Sequence, residues 1–171
     1  MKLQRACAVG LALLAAWAGT ASAQPGGYPN QTIKLLVGWT AGGATDLLAR
    51  QLATHMASQL GQPVVVDNRA GAVGTIAHSE ASRARPDGYT LILATNSTYA
   101  IAPHLIKPLS YGPDALAPIA LVGTSPLILT VKPTLNAQGV KDVIELARQQ
   151  PGRLNYSSGG NGSTSHLASE L

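Results

Sequence analysis

Apolar positions along the chain follow two alternating periods. Ile33-Lys34-Leu35-Leu36-Val37-Gly38-Trp39 is a short, nearly continuous apolar run with β-branched members, the pattern of a strand buried in a sheet. Residues 40–45 carry Gly42 and Gly43, which break regular structure. Leu47, Leu48, Leu52, Met56 and Leu60 then recur at near-helical spacing, and Gly61 with Pro63 behind it stops the helix. The unit repeats: a strand at Val64-Val65-Val66, a loop over 67–74 with Gly71 and Gly74, and a helix over 75–85 ended by Pro86-Asp87-Gly88. A third strand follows over 89–95. Strands alternating with helices predict βαβ units with right-handed crossovers and a parallel sheet, so the fold class is α/β.

Beyond Thr95 the rhythm changes. Residues 96–115 hold three prolines and irregular polarity. The apolar runs 116–123 and 127–131, split by Ser125-Pro126, predict two long strands leaving the first domain. An amphipathic helix over 140–149 precedes Pro151-Gly152, and Leu154-Asn155-Tyr156 predicts a short strand. The Gly/Ser-rich stretch 157–165 leads into a helix from His166. The sequence stops about six residues into that helix without a stop signal, the mark of a truncated second domain.

The first 23 residues predict a secretory signal. Lys2 and Arg5 give a positive start, Ala6 to Ala18 an apolar core shorter than the roughly 20 residues of a membrane span, and Ala21-Ser22-Ala23 a small-residue cleavage site. Cleavage there leaves no membrane insertion. It also removes Cys7, the single cysteine, so an apolar core and not a disulfide has to hold the exported chain. Without Lys2 and Arg5 the net charge falls from +4 to +2, ten basic residues against eight acidic. The basic residues are scattered and form no stripe, which argues against nucleic acid as a partner and is compatible with an anionic solute.

Two loops carry the candidate chemistry. In Trp39-Thr40-Ala41-Gly42-Gly43-Ala44-Thr45-Asp46 a glycine turn joins a strand end to a helix start. Open parallel sheets bind ligands at the carboxyl ends of their strands, and a helix start offers unpaired N–H groups and the positive end of its dipole. Glycine lets that backbone approach an anion closely. The same segment also fits an ordinary strand-to-helix turn with Thr45 or Asp46 as a cap. Ser158-Gly159-Gly160-Asn161-Gly162-Ser163-Thr164-Ser165-His166 repeats the design with added hydroxyls, and also fits a flexible turn. Neither loop has the Gly-Lys-Ser/Thr ending of a P-loop or G-x-G-x-x-G spacing, so no nucleotide cofactor is expected.

The sequence argues against an enzyme. Ser165 and His166 are sequence neighbours that do not face each other on a helix, and G-x-S-x-G is absent. His55, His78, His104 and His166 show no metal-ligand pairing, so no metal is expected.

The order of motifs resembles one family. Tyr28-Pro29, Gly42-Gly43-Ala44-Thr45-Asp46, the run from Leu60 through Val64-Val65-Val66-Asp67-Asn68-Arg69 to Gly71, Pro86-Asp87-Gly88-Tyr89-Thr90-Leu91, Pro151-Gly152-Arg153-Leu154-Asn155-Tyr156 and Gly160-Asn161-Gly162-Ser163-Thr164-Ser165-His166-Leu167 occur in sequence over essentially the whole chain after the signal. This is similar to the Bug family, the extracytoplasmic solute receptors of tripartite tricarboxylate transporters. The resemblance implies a periplasmic binding protein of type II, two lobes of βαβ units around a cleft. It divides the chain into a signal peptide (1–23), a first lobe (24–123) and the beginning of a second (124–171). It implies a small carboxylate ligand, such as a citrate-like acid, an acidic amino acid or an aromatic acid, and a membrane permease as partner. Carried over by position, Trp39 and the residues Ala41, Gly42, Gly43, Ala44, Thr45 and Asp46 form one wall. Gly160, Gly162, Ser163, Thr164 and Ser165 form the other, with Ser97 between them. Asp46 would receive a ligand amino group or else cap its helix.

The chain departs from the family at Gly38-Trp39-Thr40-Ala41, where a proline and an aromatic residue usually open the loop, and at Ala72-Val73, where a second glycine is common. Two further readings accompany the receptor: a ligand-dependent partner of a periplasmic sensor domain, and a non-functional fragment of such a receptor. A half-length chain leaves its parallel sheets short of strands, so it is expected to melt at low temperature and to hold ligand weakly. Thermal unfolding with and without citrate or glutamate checks this. A cooperative transition raised by ligand is the contrary result.

Overall fold

β1 (Ile33–Val37) occupies the middle of a three-stranded parallel sheet of order β2-β1-β3, with β2 spanning Val64–Asn68 and β3 Thr90–Leu93. This is a computed structural model, and it describes residues 27–112 and 114–171. The expected signal peptide lies outside the described residues. Ile33 stands opposite Val64 and Val37 opposite Asn68, while Lys34 pairs with Thr90 and Val37 with Leu93. The chain moves from β1 to one side, then crosses back to the other. The strand order therefore reverses at β1, and in open parallel sheets such a reversal is where a crevice forms at the carboxyl ends of the strands.

Helix α1 (Ala44–Leu60) covers one face of the sheet, burying Ala49 and Ala53 against Leu35, Val37 and Leu93. Small residues on the inner face let this helix sit close to the strands. Gly61, in the left-handed conformation, ends it by donating its N–H to Ala57 O. α2 (Thr75–Arg83) packs on β3 and β1, where Lys34 Nζ reaches Glu80 at 3.5 Å. His78 on α2 is buried and stacks on Tyr111 at 4.5 Å, which pins the segment after β3 to this helix together with the 2.6 Å bond from Ser110 Oγ to Ser79 Oγ. Burial holds the His78 imidazole below its ordinary pKa.

The stretch 96–115 is helical over residues 97–105. A π-turn over Ser97–Ile101 runs into a short helix, α3 (Ala102–Leu105), because Pro103 stands in its first turn, where a missing N–H costs nothing. The expected strands at 116–123, 127–131 and 154–156 are not formed: no ladder joins them among the described residues. A strand needs a neighbour to take its N–H and C=O groups, and here Ile119, Leu121 and Ile128 face solvent. α4 (Val140–Gln149) has the predicted bounds, with Asp142 Oδ2 accepting the N–H groups of Gln138 and Gly139. α5 (Thr164–Glu170) starts two residues before the predicted His166, at the Ser163 cap.

The tightest point of the sheet lies where β1 ends. A methyl group on Gly38 would stand 2.6 Å from Gly74 Cα and 3.0 Å from its carbonyl oxygen. One on Gly74, itself at φ +84°, would meet Thr98 Oγ1 at 2.5 Å. Two backbones therefore touch where a side chain would part them, and the loops after β1, β2 and β3 converge there. Gly38→Ala is expected to cost about 1–3 kcal/mol of stability, because the obstructing atoms are backbone. Gly123→Ala, whose added carbon meets nothing within 4 Å, should cost little. Urea unfolding followed by circular dichroism measures both, and equal loss in the two variants contradicts the close approach.

Candidate ligand-binding site

The loops leaving β1 and β3 flank the crevice at which the strand order reverses. Trp39, half-buried on the core, donates its indole N–H to Thr95 Oγ1 at 3.2 Å. Thr95 Oγ1 contacts Thr98 Oγ1 at 3.3 Å, and Thr98 donates to Val73 O at 2.8 Å. A line of hydroxyls thus ties the β1 loop to the β3 loop and to the turn after β2. Gly38, Gly74, Thr95 and Thr98, which hold this junction, were not among the residues expected from sequence. Only the spacing of Gly71 and Gly74 hinted at it, and that spacing also serves an ordinary turn.

Ala41 and Gly42 are exposed, and Gly43 and Thr45 half-buried, at the head of α1. Gly43 is the N-cap, in extended conformation, and no side chain caps the helix. The amide hydrogens of the first turn, at Ala44, Thr45 and Asp46, therefore have no side-chain cap. Asp46 plays a bracing part. Its side chain is 2% exposed, Oδ2 accepts the Gly42 N–H at 2.8 Å and the Arg50 Nε–H at 2.9 Å, and Oδ1 accepts from Asn68 Nδ2 at 3.0 Å. Asn68 also donates to Trp39 O at 3.0 Å. The carboxylate fastens the glycine turn to α1 and to the end of β2. The Arg50 guanidinium first, then the Gly42 N–H, hold it down to a pKa of about 2 against burial, which pushes the other way.

The second loop is built differently. Thr164 N–H donates to Ser97 Oγ at 3.1 Å, and the two hydroxyls lie 3.4 Å apart. His166 N–H donates to Ser163 Oγ at 3.2 Å, Gly159 N–H to Ser165 Oγ at 3.0 Å, and Gly162 N–H to His166 Nδ1 at 3.4 Å. The Thr164 and His166 amides at the head of α5 thus already have acceptors, where the head of α1 has no side-chain cap. The structure brings Ser97 together with Thr164, and Gly162 against Val73 and Leu105, on which a methyl at Gly162 would close to 3.3 and 3.4 Å. A hollow of about 320 Å³ lies here, lined by Val73, Ala102, Leu105 and Ile106 together with Asn161, Gly162 and His166. Trp39 and the residues of the α1 turn do not line it. A larger hollow of about 540 Å³ is lined by α4 residues alone and is a helix face, not a cleft. Among the described residues no group of three His, Cys, Asp or Glu is placed to hold a metal ion, and no helix is long and apolar enough to cross a membrane.

This arrangement, an α/β layer with its loops gathered at a strand-order reversal, is shared with solved periplasmic solute-binding proteins. The chain superposes on R. palustris Rpa4515, solved with adipate, with a TM-score of 0.77 at 36% identity, covering 84% of this chain and 48% of that one. It superposes on MatC from Rhodopseudomonas palustris, solved with bound malate, with a TM-score of 0.75 at 32% identity, covering 84% of this chain and 49% of that one. In sequence it is 38% identical over 161 residues to a UPF0065 protein of Bordetella pertussis, covering 94% of this chain and 50% of the relative. The tripartite tricarboxylate transporter family receptor model matches residues 48–171. The chain belongs to that family, which is one of solute receptors and not of enzymes, and it spans about half the length of the curated relatives it matches.

The depressed pKa of Asp46 has a consequence for stability. A carboxyl held at about 2 in the fold and near 3.8 outside it stabilises the fold above pH 3.8, and that contribution disappears as the pH falls toward about 2. Asp46→Asn keeps an acceptor for Gly42 but loses the Arg50 pair. Its urea midpoint should lie below that of the unaltered chain at neutral pH, and the gap should narrow across that acid window. A gap that does not change with pH contradicts the bracing role.

Proposed function

We propose that the chain serves as a periplasmic receptor that captures a small carboxylate and passes it to the membrane permease of a tripartite tricarboxylate-type transporter. The ligand classes compatible with this reading are di- or tricarboxylates, acidic amino acids and aromatic acids. Export would follow from the signal at residues 1–23. Residues 24–123 would supply one lobe and 124–171 the start of the other, with ligand release by hinge motion between them. Support comes from membership of the receptor family and from two relatives whose structures hold dicarboxylates, adipate and malate.

The observation that carries the reading is the uncapped head of α1 at the strand-order reversal. A carboxylate placed there would accept the bare N–H groups of residues 44–46 and meet the positive end of a 17-residue helix. Trp39 and Ala41 through Asp46 would form one wall. Ser97 and the second loop, Gly160 and Gly162 to Ser165, would form the other with hydroxyls and bridging water. The ligand's negative charge would be met by backbone dipoles, which need no arginine.

An introduced cap separates binding from folding. Gly43 has an extended backbone that any residue can adopt, and a methyl there would come no nearer than 3.4 Å to Thr40 O. Gly43→Asp should place a carboxylate on the same amides, raising stability by only a few tenths of a kcal/mol, roughly, while competing with the ligand. Affinity for a carboxylate such as succinate should fall at least tenfold, roughly the 1.4 kcal/mol that corresponds to that ratio. Calorimetric titration beside thermal unfolding reads the two effects. Undiminished binding in the variant rules out the α1 seat.

A further inference from the structure

His78 lies outside both glycine loops and is buried on α2, with 3% of its surface exposed. Its Nδ1 has no hydrogen-bond partner among the described residues. Two tyrosine rings stand against the imidazole. Tyr111 stacks on it at a centroid distance of 4.5 Å and an interplanar angle of 29°, and Tyr99 stands at 6.3 Å. A buried nitrogen without a partner is costly, and a buried charge without one costs far more, so this setting suits a neutral ring.

The charged groups around α2 are committed elsewhere. Glu80, two positions along the helix, pairs with Lys34 of β1 at 3.5 Å and with Arg69 at 3.3 Å. Asp67 of β2 pairs with the same two cations at 3.8 and 3.0 Å. Arg83 at the end of α2, and His104 and Lys107 on the chain after β3, are exposed to water. None of these groups forms an ion pair with His78 among the described residues. Stacking on Tyr111 would give an imidazolium some π attraction, but that does not replace the water a charged ring gives up. Burial accordingly holds the imidazole below its ordinary value of 6.5.

Tyr111 ends a strap, residues 107–111, that follows α3 and lies on α2. Two hydrogen bonds accompany the ring stack. Ser110 Oγ–H donates to Ser79 Oγ at 2.6 Å, and the Tyr111 hydroxyl donates to Thr98 O at 3.4 Å. Lys107, Pro108 and Ser110 are exposed.

We propose that His78 is an acid-released latch for this strap. The neutral imidazole packs against Tyr111 and keeps the strap on α2. A protonated imidazole has no counter-ion there, so it regains water by parting from Tyr111, and the strap leaves α2. The three-stranded sheet stays formed, because its ladders do not involve His78. Release also reaches the hollow at Gly162, because the strap continues directly from Leu105 and Ile106, which line it. The ring binds its proton more readily in the open form than in the closed one. The closed form is therefore fully favoured above 6.5 and loses ground as the pH falls below it. One proton taken up changes the closed-to-open ratio by at most about tenfold per pH unit.

NMR of the whole chain between about pH 8 and pH 5, where imidazole titrates, tests the latch. At the upper end the His78 and Tyr111 rings should show a nuclear Overhauser contact. At the lower end that contact should vanish and the resonances of residues 107–111 should move to unstructured positions, while the amides of β1, β2 and β3 keep theirs. In His78→Phe, whose ring stacks on Tyr111 but takes up no proton, the strap should stay in place throughout. His104→Gln, at an exposed position, should release it as the unaltered chain does. The latch is overturned if the ring contact survives at the acid end, if the sheet amides are lost together with the strap, or if His78→Phe releases the strap over the same pH range. The first two outcomes are read on the unaltered chain, so they decide the matter whether or not the variant folds.

Discussion

The contact between Gly38 and Gly74 sets the geometry from which the rest of the site follows. Two main chains meet where any side chain would separate them, and Thr98 closes over the pair. The turn after β2 is thereby drawn against the exit of β1, and the β3 loop is locked to both through Thr95 and Thr98. Parallel strands alone would deliver three loops to one edge of the sheet. It is the glycine contact that brings those loops within hydrogen-bonding reach of one another, and so gives the crevice at the strand-order reversal fixed walls.

Within that frame the two glycine turns, so similar in sequence, have different electrostatic roles. The head of α1 has no side-chain cap, and the acidic residue in its first turn is turned back to grip Gly42, Arg50 and Asn68. At the head of α5 the amides of Thr164 and His166 have acceptors in Ser97 and Ser163. A positive potential from unsatisfied amides is therefore concentrated on the α1 side. The α5 side offers hydroxyls and, through Gly162, close packing against Val73 and Leu105.

Much of the first half of the fold could be read from periodicity. The β1 run, the α1 stripe ended by Gly61, and the repeat through β2, α2 and β3 depend on local patterns that a parallel sheet requires. What escaped depends on distance in space. The apolar runs at 116–123 and 127–131 have strand composition, but a strand also needs a partner edge, and none is formed among the described residues. Gly38 and Gly74 are 36 positions apart, and single-residue propensities do not report that two glycines touch. The candidate residues fared likewise. The loops themselves stood out through their glycines, while the bracing role of Asp46 depends on Asn68, a residue marked in sequence only as part of a family motif. The left-handed backbone of Val73 runs against the preference of its residue type, so local propensity argued against it.

The central claim is that bare backbone amides at the head of α1 receive the carboxylate. Amide-resolved titration of isotope-labelled protein with sodium acetate, a carboxylate with almost no body, tests it most directly. The account predicts saturable shifts at the amides of Ala44, Thr45 and Asp46, with Thr164 and His166, whose N–H groups already have hydroxyl acceptors, moving less. Shifts centred on Thr164 and His166, with residues 44–46 unmoved, would contradict it.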